Sequence, residues 1–132
     1  MPENKKHILL VEDERPYAEM VALRFRIYGF DCMIAEDTDK AIEAAYSHPY
    51  DLVVLDLMLP GSGGLSVLEA IRDRKESSLI PVVVLTGKTI TPDIKMKLEG
   101  YGVSYLFSKP YDPDPFINAV KHLIGNETTN GG

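Results

Sequence analysis

Five short apolar runs punctuate the chain: HILLV at 7–11, FDCMIA at 30–35, DLVVLD at 51–56, PVVVLT at 81–86 and SYLFS at 104–108. The segments between them have the period of a helix rather than a strand. Over 16–28, Ala18, Val21, Ala22 and Phe25 fall at i, i+3, i+4 and i+7, the stripe of an amphipathic helix. Pro16 suits its first turn and Gly29 its C-terminal stop. A second helix starts from Asp37 or Thr38 as cap and runs to about His48, where Pro49 prevents continuation. Residues 65–74, about 91–99, and 113–124 give the third, fourth and fifth. Strand and helix alternating in this way predict an α/β fold, a (βα)5 parallel sheet with helices on both faces joined by right-handed crossovers. Runs one, three and four are nearly continuous Val, Ile and Leu, as central parallel strands buried on both faces require. Runs two and five carry more polar residues and suit the sheet edges.

A chain of 132 residues is long enough for one domain with its own core, placed here at residues 5–124. The last segment, GNETTNGG at 125–132, has no apolar residue and reads as a flexible tail or the start of a linker. With 45% hydrophobic and 26% charged residues the composition is that of a soluble globular protein, and no apolar run approaches a membrane span. The first residues, MPENKKH, lead into no signal-peptide core. A single cysteine, Cys32, forms no internal disulfide and offers no metal-ligand spacing, which fits a reducing, cytoplasmic setting. The net charge of −6 speaks against direct nucleic-acid binding by this chain, since that affinity comes from Lys and Arg on phosphates.

In open parallel sheets, ligands bind at the carboxyl ends of the strands. Strand one ends in Glu12, Asp13 and Glu14, strand three in Asp56, strand four in Thr86, and strand five in Lys109 followed by Pro110. Asp56 is the most telling of these, because an unpaired charge inside an apolar run is costly to bury. It must reach solvent at the strand end or have cations beside it. Glu14 reads as an ordinary solvated loop residue, and His7, His48 and His122 are scattered without partner spacing. The methionines form no helical stripe and belong to packing or the surface. Gly61, Gly63 and Gly64 lack a Walker lysine and serine and read as turn residues before the third helix.

VEDE at 11–14, DLMLPGSGG at 56–64, VVVLTG at 82–87 and SKPY at 108–111, in this order and each at the end of its own strand, resemble the response regulator receiver domain. The resemblance covers about residues 5–124. It implies a flavodoxin-like, doubly wound five-stranded sheet of order 2-1-3-4-5, with a cis Lys109–Pro110 bond. It implies that Asp56 is the nucleophile of an aspartyl phosphate, with Thr86 and Lys109 as the groups that follow the phosphoryl charge. Glu12, Asp13, Asp56 and the main-chain carbonyl of Met58 would hold Mg2+, a hard ion suited to oxygen ligands. Three carboxylates facing one ammonium without metal should raise at least one carboxylate pKa. The implied partners are a sensor histidine kinase or histidine phosphotransferase and a downstream effector, with a phosphorylation-dependent dimer as a further option. No membrane or nucleic acid is contacted through this chain. Its chemistry would be self-catalysed phosphotransfer and autodephosphorylation rather than turnover of an external substrate. The chain would be a stand-alone receiver or one separated from its effector.

Two positions depart from that pattern or qualify it. Receivers carry an aromatic residue three positions before the strand-five lysine; here Leu106 stands there, with Tyr105 one residue earlier on the other strand face. Phe107 and Tyr111 are the remaining aromatic candidates for the coupling, while Gly87 after Thr86 leaves room for a phosphoryl group. Met58 and Lys88 flank the site where receivers tune hydrolysis. A haloacid-dehalogenase-like phosphohydrolase would need a second carboxylate two residues after Asp56, where Met58 stands. A flavodoxin-like electron carrier would need a Ser, Thr and Gly-rich phosphate loop after strand one, where VEDERP is acidic. The remaining alternative is a receiver-fold interaction module that works without phosphorylation.

Overall fold

The computed structural model describes residues 5–125, so the segment 126–132 of the expected tail lies outside the described residues. The elements are β1 (His7–Val11), α1 (Arg15–Ile27), β2 (Asp31–Ala35), α2 (Thr38–Ser47), β3 (Leu52–Leu55) and α3 (Gly64–Asp73). A 3₁₀ turn (Lys75–Ser77) leads to β4 (Val82–Thr86), α4 (Pro92–Gly100), β5 (Tyr105–Ser108) and α5 (Pro113–Ile124). Every strand pairing is parallel, and the sheet order is β2-β1-β3-β4-β5. The (βα)5 alternation and the flavodoxin-like order expected from the sequence are both present.

Burial explains the order. Every residue of β3 and β4 is buried, and β1 is buried after His7. At the edges, β2 buries only Ala35 and β5 buries no residue fully. Because side chains alternate across a strand, the sheet divides its apolar residues between two cores. Ile8, Leu10, Leu52, Val54, Val83 and Leu85 pack with Ala18, Val21, Ala22 and Phe25 of α1 and Phe116, Ile117, Val120 and Ile124 of α5. On the other face, Leu9, Val11, Val53, Leu55, Val82 and Val84 pack with Ala41 of α2, Val67, Leu68 and Ile71 of α3 and Leu98 of α4. The i, i+3, i+4, i+7 stripe of α1 is therefore its buried face.

Helix starts follow local chemistry. Asp37 is the N-cap of α2, accepting a hydrogen bond from the Lys40 amide at 2.8 Å. Thr91 caps α4 through the Ile94 amide, and Asp112 caps α5 through the Asp114 amide. Thr38, the alternative cap in the sequence reading, is instead the first residue of α2 and is buried. Among the described residues no helix is long and apolar enough to cross a membrane.

Candidate functional site

The site forms where β1, β3, β4 and β5 end, because a parallel sheet brings all its carboxyl ends to one edge. Asp56 follows β3 directly, and its amide continues the sheet by donating to the Val11 carbonyl at 3.1 Å. Its side chain is only 4% exposed, and three donors converge on it. The Thr86 hydroxyl donates to Oδ1 at 2.7 Å, the Met58 amide donates to the same oxygen at 2.9 Å, and Lys109 Nζ donates to Oδ2 at 2.8 Å. The buried carboxylate at the end of an apolar strand is thus fully hydrogen-bonded and ion-paired, the condition under which burial is tolerable.

Lys109 joins the acidic groups. Its Nζ lies 2.7 Å from Glu12 Oε1 and 3.6 Å from Glu14 Oε1, and its side chain is 15% exposed. Burial opposes its charge, but the hydrogen bonds to Asp56 and Glu12 outweigh that and raise its pKa above the ordinary lysine value. Glu12 is buried, and its other oxygen accepts the Glu14 amide at 3.1 Å. Its pKa is raised chiefly by burial, against the lowering effect of Lys109 and the Glu14 amide; the charge of Asp56 adds a smaller push upward. Mutual repulsion of the carboxylates, the cause expected from the sequence, is the smaller contribution. Desolvation is the larger cause, because Glu12, directly after β1, is buried with its amide donating to the Ala35 carbonyl.

Asp13, by contrast, is exposed. Glu12, Asp13 and Asp56 each present a carboxylate oxygen, and these oxygens lie within 4.8 Å of one another. Three hard oxygen donors at that spacing suit a divalent cation such as Mg2+. Met58 contributes its backbone to the site, while its side chain is exposed. Glu14 is mostly exposed, as expected, although it is also the N-cap position of α1 and lies near Lys109.

Thr86 ends the buried β4, and its hydroxyl both donates to Asp56 and accepts the Lys88 amide at 3.2 Å. Beside it lies an open groove of about 440 Å³ lined by Gly87, Lys88, Ile90, Leu106 and Lys109 among others. Leu106, paired in register with Val84, is partly exposed. Phe107 and Tyr111 belong to the opposite face, where both pack on Phe116 with ring centroids 5.6 and 4.8 Å apart. Phe107 also borders the groove beside Thr86, but its ring packs on the α1 and α5 side against Phe116, and the residue three positions before Lys109 is Leu106. The Lys109–Pro110 bond is cis.

Three residues whose importance the sequence did not reveal support this arrangement. Thr38 Oγ1 donates to the Pro60 carbonyl at 3.1 Å and lies 3.4 Å from the Gly63 carbonyl, fastening the loop after Asp56 to the start of α2. Gly64, read only as a turn residue, packs its Cα so tightly that a Cβ would lie 2.6 Å from Leu57 Cα and against the Asp56 carbonyl oxygen. Tyr17 covers Lys109, whose Nζ is 4.6 Å from the ring centroid. The sequence marks Gly63 and Gly64 as turn residues and no more, and nothing in sequence spacing marks Thr38 or Tyr17. The remaining candidates stay apart from the site. His7 pairs with Asp31 at 3.3 Å when protonated, His48 packs beside Tyr50, and burial pushes the Cys32 thiol up to about 12, suppressing its thiolate.

An acidic pair after one strand, a buried aspartate after another, and a threonine and a lysine after two more define a receiver-type site. Comparison with known proteins agrees: the family model of the response regulator receiver domain matches residues 8–121, and the chain belongs to that family. It is a receiver domain of the kind found in two-component response regulators, a regulatory domain. MtrA of Mycobacterium tuberculosis, a DNA-binding response regulator, is 37% identical over 117 residues, covering 89% of this chain and 50% of that protein. The phosphate regulon transcriptional regulatory protein PhoB of Pseudomonas aeruginosa is 31% identical over 119 residues, covering 90% and 52%. The chain therefore spans about half the length of the relatives it matches. Among solved structures, the Vibrio cholerae chemotaxis protein CheY4 has a TM-score of 0.83 at 22% identity, over 90% of this chain and 98% of that one. The receiver domain of a Pseudomonas aeruginosa sensor histidine kinase, solved with a magnesium ion coordinated in its active-site cleft, has a TM-score of 0.81 at 24% identity, over 92% and 99%. At such identities the likeness speaks for the fold alone.

Proposed function

We propose that this chain is a phosphoacceptor switch in which Asp56 receives a phosphoryl group from a histidine kinase or histidine phosphotransferase. The observation that carries the reading is the setting of Asp56: a buried carboxylate met by a hydroxyl, an amide and an ammonium, beside two further carboxylates. In the transfer, a carboxylate oxygen of Asp56 forms a bond to phosphorus as the phosphorus–nitrogen bond of the donor's phosphohistidine breaks. The imidazole leaves with that electron pair. Glu12, Asp13 and Asp56, with the Met58 carbonyl, would hold Mg2+, which when bound neutralises carboxylate charge and stabilises the negative charge of the transferring group. The similar kinase receiver domain, with magnesium in its cleft, supports that assignment.

Lys109 and Thr86 supply the rest. Phosphorylation brings about −1.5 to −2 charge and three acceptor oxygens to the site, farther out than the carboxylate. The Lys109 ammonium and the Thr86 hydroxyl, both already bonded to Asp56, are placed to turn toward it. Thr86 then moves beside the groove bounded by Ile90 and Leu106, so the change is read out on the face formed by α4, β5 and α5. Without a ring at Leu106, the moving groups on that side are the hydroxyl and the loop 87–90. We propose the receiver unit as residues 5–124, acting in the cytoplasm on an effector domain or protein. The DNA-binding relatives suggest what such an effector does.

The test is intact mass after incubation with Mg2+ and acetyl phosphate. Wild type should gain one phosphoryl group and Asp56→Asn none. Equal labelling of the variant would remove Asp56 from the role. An unlabelled wild type would instead favour an interaction module of receiver fold that works without phosphorylation.

A further inference from the structure

We propose that Tyr17 is a positioning residue for Lys109, its ring face holding the ammonium against Asp56 and Glu12 and excluding water from it. The inference rests on the reading of Asp56 as phosphoacceptor, and it concerns how the lysine is kept in place for that chemistry. A lysine ammonium has three N–H donors. Asp56 Oδ2 at 2.8 Å and Glu12 Oε1 at 2.7 Å account for two. Glu14 Oε1, at 3.6 Å, is beyond hydrogen-bond reach. The remaining close partner is the Tyr17 ring, with its centroid 4.6 Å from Nζ, within the range where the negative face of an aromatic ring attracts a cation.

The ring is itself held. Tyr17 lies in the first turn of α1, one residue before the buried Ala18, and packs against the core shared by α1 and α5. Tyr111 meets it edge-on at 6.1 Å and 87°, and Tyr111 rests in turn on Phe116 of α5 at 4.8 Å. The hydroxyl oxygens of Tyr17 and Tyr111 are both buried and have no hydrogen-bond partner among the described residues. A buried hydroxyl without a partner destabilises a fold. What Tyr17 contributes is therefore its ring face, not its polar end, and phenylalanine should serve in its place. With the ring removed, the long lysine side chain regains rotamers and water, and its ammonium is no longer fixed where a phosphoryl oxygen would arrive.

The experiment measures the initial rate of labelling by acetyl phosphate with Mg2+, using intact mass, for the full chain and variants at position 17. Tyr17→Phe should label within about twofold of wild type, and Tyr17→Leu on the order of tenfold more slowly, the size of a desolvated cation–ring contact. Phenylalanines with increasing ring fluorination, introduced at position 17, weaken the ring's negative face at nearly constant shape, and the rate should fall with each step. That series decides the matter even where Tyr17→Leu fails to fold. By proton NMR, the Lys109 ε-methylene should be ring-current shifted in wild type and Tyr17→Phe, and unshifted in Tyr17→Leu. A fully fluorinated ring or a folded Tyr17→Leu labelling at the wild-type rate would overturn the inference, as would Tyr17→Phe as slow as Tyr17→Leu. Failure of the underlying reading looks different: wild type would stay unlabelled although the ring-current shift was present, and the role of Tyr17 would fall with it.

Discussion

At Glu12, burial and charge pull in opposite directions, and the balance can be read by titration. Its carboxyl pKa is raised above 4.5, first by desolvation, with the Lys109 contact working against it. A folded-state pKa above the unfolded value means that the folded protein binds the proton more tightly. The associated stability is complete below 4.5 and is lost as pH rises through the raised value. In metal-free protein, Glu12→Gln should therefore gain stability relative to wild type as pH is raised from about 4 to 7. Urea midpoints in the presence of a chelator measure this, and a difference that does not vary with pH would contradict it. Gly64 makes a steric prediction. A Cβ there meets main-chain atoms of Asp56 and Leu57, which cannot swing aside as a flexible side chain would. Gly64→Ala should cost about 1–3 kcal/mol and slow labelling of Asp56 by displacing its backbone. Denaturant unfolding and the labelling rate check the two parts. The carboxylates, the lysine and the threonine were legible because each closes its own strand of one parallel sheet, within the motifs that resemble a receiver domain. The glycine's role was not, because close approach to Asp56 arises only when α3 docks beside β3.

Among the helices, α4 is held most loosely. It buries only Leu98, whereas α1 buries four residues and α5 five. Its C-terminal end is tied down from α3: Arg72 donates from Nε to the Tyr101 carbonyl at 2.6 Å and its Nη2 lies 3.4 Å from the Gly102 carbonyl, while Nη1 holds the Ile80 carbonyl before β4 at 2.6 Å. Glu69 accepts the Tyr101 hydroxyl at 3.0 Å. The end of α4 nearer Thr86 has its Thr91 cap and the partly buried Ile90 and Ile94, but among the described residues no side-chain hydrogen bond from another element like that of Arg72. A helix fastened at its far end and shallowly packed is suited to respond when Thr86 moves. Hydrogen exchange should show α4 amides exchanging faster than those of α1 and α5. Arg72→Met should accelerate α4 further and lower stability by about 2 kcal/mol; unchanged α4 exchange would contradict the anchoring role. Helix and strand positions were legible from period and caps to within a residue or so. The 3₁₀ turn at Lys75–Ser77 and the Arg72 tie were not, since both depend on where α3 ends relative to β4 and α4.

The molecule as a whole places its chemistry where its topology places the strand ends. Continuous apolar runs in β1, β3 and β4 made the sheet's centre readable, and parallel pairing followed from the helices between strands. From there the meeting of Glu12, Asp13, Asp56, Thr86 and Lys109 was foreseeable, because they close successive strands of one sheet. Two features were not foreseeable. One is that Thr86 is already bonded to Asp56. The other is that Phe107 and Tyr111 pack on the α1 and α5 side, leaving Leu106 beside the groove. Both depend on side-chain packing between elements far apart in the chain. The claim on which the rest stands is that Asp56 carries the phosphoryl group, and an acyl phosphate can be trapped where it forms. Protein treated with acetyl phosphate and Mg2+ and then reduced with borohydride should yield, by peptide mass spectrometry, homoserine in place of aspartate at position 56. Reduction at another carboxylate, or none in protein shown to bind Mg2+, would contradict it.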